Sequence, residues 1–193
     1  MKTILIGDAC AEKTKLVTML IENDFDLESQ TLTIGAASTQ KSIQTNNGIC
    51  TLDIFDTAGQ ERYKTLASMY MRSAKAIILV LNANIEGQID SLQKWLDFVK
   101  SDESVNSALL YIAATNCFSG CVINPQKIKE FADQNKIPFF ATDFKNKSSI
   151  IKLFDSIASD LMEKHQDDDT KELEKPIINN DTNNEEKKSC LIC

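Results

Sequence analysis

The sequence predicts an α/β fold: a six-stranded, mostly parallel sheet with one antiparallel hairpin strand and helices on both faces. Three observations predict it. Short apolar strand signals alternate with amphipathic helix signals along residues 3–161. The run from Ala76 to Leu81 is apolar at every position, as a strand covered on both faces must be. Asn46-Asn47-Gly48 separates two strand-like segments at the point where a hairpin turns.

The elements follow in order. Thr3-Ile4-Leu5-Ile6 is a short buried strand that ends at Gly7. Lys13 to Ile21 reads as a helix with Leu16, Val17 and Leu20 on one face. Ser42 to Thr45 and Ile49 to Phe55 form the hairpin, with Asn-Gly supplying positive φ angles to its turn. After the strand Ala76 to Leu81, residues Ile89, Leu92, Leu96 and Val99 recur at helical spacing. Leu109 to Ala113 is the next strand. Asn124-Pro125 is a capping residue followed by proline at the first helical position, opening a helix through Phe131. Ile137 to Ala141 is a strand, and Ile150, Leu153, Phe154, Ile157 and Leu161 mark the last helix.

The chain divides near residue 165. Residues 166–193 hold eight acids and four lysines, so they carry -4 of the formal net charge of -7. This stretch is too polar to bury enough apolar surface to offset its ordering, and it reads as a disordered tail after a domain spanning 1–165. The acidic balance speaks against nucleic acid as a partner, since phosphate binding needs a basic face. The single histidine, His165, at the very end of the domain, speaks strongly against a Ser-His-Asp triad and a multi-histidine metal site. The first residues lack a signal-peptide core and no apolar run approaches a membrane span, so a cytoplasmic chain with reduced cysteines is expected.

In parallel α/β sheets, ligands bind beyond the carboxyl ends of the strands. Gly7-Asp8-Ala9-Cys10-Ala11-Glu12-Lys13-Thr14 occupies the first such end. It fits the phosphate-loop form G-x-x-x-x-G-K-[ST] at every position except the second glycine, which is Glu12. Such a loop surrounds phosphates with backbone amides and a helix N-terminus, the lysine adds positive charge, and the hydroxyl ligates Mg²⁺. On its own the degraded motif also suits an ordinary strand–helix turn.

The second strand end carries Asp56-Thr57-Ala58-Gly59-Gln60-Glu61-Arg62-Tyr63. With Leu52-Asp53-Ile54-Phe55 before it, Tyr70 and Arg72 after it, Trp95 in the next helix and Thr33-Ile34-Gly35 upstream, residues 2–163 resemble the Rab branch of the Ras-like small GTPases. The resemblance implies the small GTPase form of the P-loop NTPase fold, binding of GTP or GDP with Mg²⁺, and GTP hydrolysis. It implies that Lys13 holds the β- and γ-phosphates, that Thr14 and Thr33 ligate Mg²⁺ directly and Asp56 through water, that the Gly59 amide senses the γ-phosphate, and that Gln60 orients the attacking water. Phe25 takes the place where the family sets a ring against guanine; the lesser alternative is a core residue. The interval from Lys13 to Thr33 is one residue longer than the family's, so a different path is expected for the first switch.

Two departures bear on affinity. A carboxylate at Glu12 lying about 4 Å from a phosphate would cost on the order of 4 kcal/mol at an effective dielectric near 20, and less if it turned outward. A gap-free register also puts Ala113-Ala114-Thr115-Asn116 where the family has Asn-Lys-x-Asp. Asn116 offers one acceptor and one donor where guanine wants two acceptors, which would suit a purine such as xanthine better. Thr142-Asp143-Phe144-Lys145 keeps the threonine and lysine of the last base segment, and the Phe144 amide remains available to the base.

The chain ends Lys187-Lys188-Ser189-Cys190-Leu191-Ile192-Cys193. Cys190 opens a C-a-a-X pattern, and the family's double-cysteine ending, which takes two geranylgeranyl groups, fits Cys190 and Cys193. One lipid without a basic patch holds a membrane only marginally, which favours two. The expectation is a switch in vesicle-mediated membrane trafficking with weakened guanine-nucleotide binding. It would meet effector, exchange and activating proteins at its switch regions and sit on the cytosolic face of intracellular membranes. The alternative is a nucleotide-independent pseudo-GTPase that works as a membrane-tethered interaction module.

Overall fold

A computed structural model describes residues 1–22, 36–59, 64–117 and 120–173, with backbone alone at 64–66 and 167–173. Six strands, β1 (Lys2–Ile6), β2 (Ala36–Thr45), β3 (Gly48–Thr57), β4 (Ala76–Asn82), β5 (Leu109–Thr115) and β6 (Phe139–Ala141), form one sheet in the order β2-β3-β1-β4-β5-β6. Every neighbouring pair is parallel except the β2–β3 hairpin. The helices are α1 (Lys13–Ile21), α2 (Lys64–Met71), α3 (Gln88–Lys100), α4 (Pro125–Asn135) and α5 (Lys147–Leu173). The α/β fold class expected from the sequence is the one observed.

The period-2 side-chain alternation of a strand divides the core between two faces. Ile4 and Ile6 of β1 join Ile77, Leu79 and Leu81 of β4 under α3 and α4. Leu5 joins Ile78 and Val80 against α1 and α5, with Leu16, Ile150, Leu153, Phe154 and Ile157 from those helices. All seven residues of β4 are buried, which is why it reads as an unbroken apolar run.

β1 lies at the topological switch point. The chain leaves it toward β2 and β3 on one side and later returns past it to β4 on the other. Connections that diverge in this way open a crevice at the strand's carboxyl end, where residues 7–14 lie.

Local details differ from the sequence reading. In the hairpin, positive φ falls on Gly48 alone (117°) and not on Asn47, so the two asparagines turn with ordinary negative φ. β6 begins at Phe139 because Pro138 has no N–H to give the ladder, although its carbonyl accepts from Ile112 N. α2 was not foreseen from periodicity; it buries Ala67 and Met71 and sets Tyr70 against Phe55, with ring centroids 6.0 Å apart. Asn124 caps α4 as expected, accepting from Gln126 N at 2.9 Å, and the helix continues past Phe131 to Asn135. α5 runs through the expected boundary at 165 to Leu173, in a stretch with no glycine or proline before Pro176.

Candidate functional site

The phosphate-loop segment leaves β1 at Gly7, makes a 3₁₀ turn over Ala9–Ala11 closed by Ala11 N donating to the Asp8 carbonyl at 3.1 Å, and enters α1 at Lys13. Glu12 joins the turn to the helix with φ 63° and ψ 36°, a left-handed conformation that glycine adopts freely and other residues adopt at some cost. The backbone path that the missing glycine normally permits is thus kept by a glutamate.

Lys13 is buried, and its ammonium donates to the carbonyls of Gly7 (2.9 Å) and Asp8 (2.8 Å). The side chain therefore arches back across the loop. Burial pulls its pKa down to about 8, against the opposing pull of Asp56 and Asp8. A phosphate group would add to the charges of Asp56 and Asp8 that favour its ammonium form.

Thr14 Oγ1 donates to Asp56 Oδ2 at 2.5 Å, so the hydroxyl at the start of α1 and the carboxylate near the end of β3 meet over the same crevice. Both are hard oxygen donors. A magnesium ion takes few such protein ligands and keeps several waters, so the pair fits it. Gly59 lies against the loop itself: a Cβ there would fall 2.3 Å from the Asp8 carbonyl carbon and 2.4 Å from Ala9 N. Only glycine lets the segment after β3 approach so closely.

The Asp8 side chain turns away from the loop toward α3. It accepts from Trp95 Nε1 (2.8 Å), Gln88 Nε2 (2.9 Å) and Ser91 Oγ (2.5 Å). Partial burial would raise this carboxyl, but hydrogen bonds from Ser91, Trp95 and Gln88 and the charge of Lys13 hold it below the usual carboxylate range. The Asp8 carboxylate thereby stays ionised, with its charge turned toward α3 and met there by three donors.

The segments for which the sequence suggests base contact gather around the ends of β5 and β6. Thr115 Oγ1 donates to the Ala11 carbonyl at 3.2 Å and Asn82 Nδ2 to the Cys10 carbonyl at 3.1 Å, tying the loop to β5 and β4. Asn116, with φ 57°, donates through Nδ2 to Glu12 Oε2 (2.7 Å) and to Asn82 Oδ1 (3.1 Å). The Glu12 carboxylate therefore points to the β5 end, with Lys15 Nζ 4.0 Å from its other oxygen. That is the outward-turned arrangement, not a carboxylate aimed at phosphates. Thr142 Oγ1 and N both donate to the Ala114 carbonyl (3.0 and 2.8 Å). Asp143 Oδ1 accepts from Lys145 N at 3.0 Å, which shapes the turn that carries Phe144. Lys15 Nζ stands 4.2 Å from the centre of the Phe144 ring.

The structure thus brings residues 7–14, Asp56 and Gly59 together with Asn116 and residues 142–145. Phe25, Thr33, Gln60, Cys190 and Cys193 lie outside the described residues. Sequence reasoning missed Asn82, Lys15, Ser91 and Gln88. For Asn82 a signal existed: it is the polar residue that ends the buried β4 run, at a strand's carboxyl end. The other three sit on helices, where a polar residue ordinarily signals only a solvated face.

Comparison with known proteins agrees with this geometry. The model of the Ras family matches residues 2–163. The chain is 32% identical over 166 residues to the Ras-related protein Rab-5A of Dictyostelium discoideum, covering 83% of this chain and 80% of that one. It is 30% identical over 159 residues to the Ras-related protein Rab-5B of Plasmodium falciparum, covering 82% and 76%. To the Ras-related protein RAB1BV of Beta vulgaris it is 30% identical over 179 residues, covering 92% and 83%. A β1 end that cradles a buried lysine, a threonine and aspartate joined above it, and a glycine pressed against the loop are what a chain that handles nucleotide phosphates requires, and with a match along nearly its whole length this chain belongs to the Ras family, as a Rab-like small GTPase.

Proposed function

We propose that this chain is a guanine-nucleotide switch of vesicle-mediated membrane trafficking, dependent on Mg²⁺, with guanine binding weaker than is usual for its family. The observation that carries the reading is Lys13: a buried ammonium with its two carbonyl partners on the phosphate loop, next to the Thr14–Asp56 pair. Bound Mg²⁺ would offset phosphate charge. Thr14 and Asp56 would hold it, with Thr33 as the further ligand. Lys13 would hold the β- and γ-phosphates, and the Gly59 amide would meet the γ-phosphate beside Asp8 and Ala9. Gln60 would orient water for hydrolysis. Loss of the γ-phosphate would release the segments carrying Thr33 and Gly59, changing the surface offered to effector, exchange and activating proteins. Prenyl groups on Cys190 and Cys193 would hold the chain on the cytosolic face of intracellular membranes.

One observation favours a second reading, a nucleotide-independent interaction module. The base-side groups are engaged with one another, Asn116 with Glu12 and Lys15 with Phe144. Denaturing the purified chain and chromatographing what it releases separates the two. Stoichiometric GDP, lost on chelation of Mg²⁺, supports the switch. A chain without nucleotide, whose melting temperature GTP and Mg²⁺ leave unchanged, supports the module.

A further inference from the structure

Two aspartates of this chain stand directly before a 3₁₀ turn, and their side chains behave differently. Asp102 precedes the turn over Glu103–Val105 and folds back on it, accepting from Ser104 N at 3.0 Å. That is the ordinary habit of a short carboxylate in this place. Asp8 precedes the turn over Ala9–Ala11 from similarly extended backbone, yet its carboxylate makes no bond to that turn. It reaches across to α3, where Trp95 Nε1, Gln88 Nε2 and Ser91 Oγ donate to it at 2.8, 2.9 and 2.5 Å. Positions 88, 91 and 95 fall on one face of a helix with 3.6 residues per turn. Two of the donors are themselves held. Gln88 Oε1 accepts from Asn82 N at 3.2 Å, and the buried Trp95 ring meets Phe98 edge-on, with centroids 5.9 Å apart.

We infer that Gln88, Ser91 and Trp95 are a clip that holds the Asp8 carboxylate off the phosphate loop, and that they act as positioning residues for phosphate capture from a helix outside that loop. The inference rests on the guanine-nucleotide reading above. Backbone amides of the turn are the groups that a phosphate would use. A carboxylate is also an anion, and one folded back as Asp102 is would occupy an amide of the turn and set a like charge beside the phosphate. Asp8 set free would thus compete with the ligand from within the chain. The clip removes the competitor and gives its charge three donors elsewhere. The Asp8 main-chain carbonyl meanwhile stays in the loop, where it accepts from Lys13 Nζ at 2.8 Å and from Ala11 N at 3.1 Å. One residue therefore serves two elements, its backbone the loop and its side chain α3.

The test measures GDP affinity by calorimetry with Mg²⁺ in the full chain, in Trp95→Phe/Ser91→Ala, in Asp8→Ala and in the combination of all three substitutions. Removing the two donors should weaken GDP binding at least tenfold while Asp8 is present and less than threefold once residue 8 is alanine, so that the triple variant binds more tightly than the double one. Ser91→Ala alone, which leaves the buried indole in place, should repeat the pattern on a smaller scale, at least threefold with Asp8 and less than twofold without it. A ligand-free readout accompanies these. Trp95 is the single tryptophan of the chain, so its indole N–H gives one proton signal, which should move upfield in Asp8→Ala as the carboxylate acceptor is lost. Equal losses with and without Asp8 would make the three donors part of the packing of α3 alone and overturn the clip. A triple variant no tighter than the double one, or an indole signal that stays in place, would overturn it too. In each of these cases GDP binding by the original chain keeps the nucleotide reading. Failure of every chain, the original included, to bind GDP removes that reading and this inference with it.

Discussion

The loop that follows β1 and the segments at the ends of β5 and β6 keep the family's pattern to different degrees, and the contrast shows what each depends on. Between Gly7 and Thr14 the work falls to the backbone path, one buried ammonium and one hydroxyl. A glutamate with φ 63° preserves that path, so a substitution that spoils the motif leaves the geometry standing. At the ends of β5 and β6, by contrast, the contacts run between side chains and depend on which atoms those present. There Asn116 is tied to Glu12 and Asn82, and Lys15 lies over Phe144. Backbone-mediated binding survives changes of side chain that still allow the required φ and ψ, whereas side-chain-mediated reading changes with each residue.

The contrast is broken most directly at Lys13. Lys13→Ala should weaken GDP binding by more than a hundredfold, because it removes a cation from a buried site and leaves the Gly7 and Asp8 carbonyls without this donor. Calorimetric titration checks this, and a change below tenfold would mean that phosphate binding does not depend on the lysine.

Acidity gives a second, intermediate effect. In the ligand-free fold Lys13 has its pKa lowered from 10.5 to about 8 by burial. Between those values the unfolded chain binds more protons than the folded one, so this lysine makes the free fold more stable as pH rises through that window. A bound phosphate favours the ammonium and lifts the pKa again. Binding then takes up a proton above pH 8, so GDP affinity should be full below about pH 7 and fall above 8, by up to about tenfold per pH unit. Isothermal titrations in buffers of different ionisation enthalpy would measure the proton uptake directly.

The smallest effect belongs to the ends of β5 and β6. Phe144→Ala should change GDP affinity by no more than about twofold, since what residue 144 would offer the base is its backbone amide, and should lower stability by about 1 kcal/mol through loss of the Lys15 contact. A tenfold loss of affinity in the titration would show that the ring itself is read.

Much of the fold was legible because it rests on periodicity. The β4 run, the Asn124-Pro125 cap and the apolar positions of α5 each depend on neighbours close in sequence. α2 escaped because its buried Ala67 and Met71 stand beside an exposed Met69, so its apolar residues do not mark one face. The hairpin turn was placed correctly, yet its positive φ was assigned to Asn-Gly when Gly48 alone carries it, a choice settled by the pairing of Thr45 with Gly48. At the site, the loop and Asp56–Gly59 were legible as strings, since each is contiguous and follows a strand. Asn82 and Lys15 were not, because their importance comes from residues 34 positions away at Asn116 and from Phe144 on another segment.

The sequence alone therefore determined the alternation of strands and helices, the placement of a phosphate loop at the first strand end, and the membership that the string from Asp56 announces. Only the tertiary structure decided where the Glu12 carboxylate goes and which groups Asn116 meets. The physical reason is that helix and strand preferences act over a few bonds, whereas the direction of a hydrogen bond is set by whichever donor or acceptor the fold carries to within 3 Å or so.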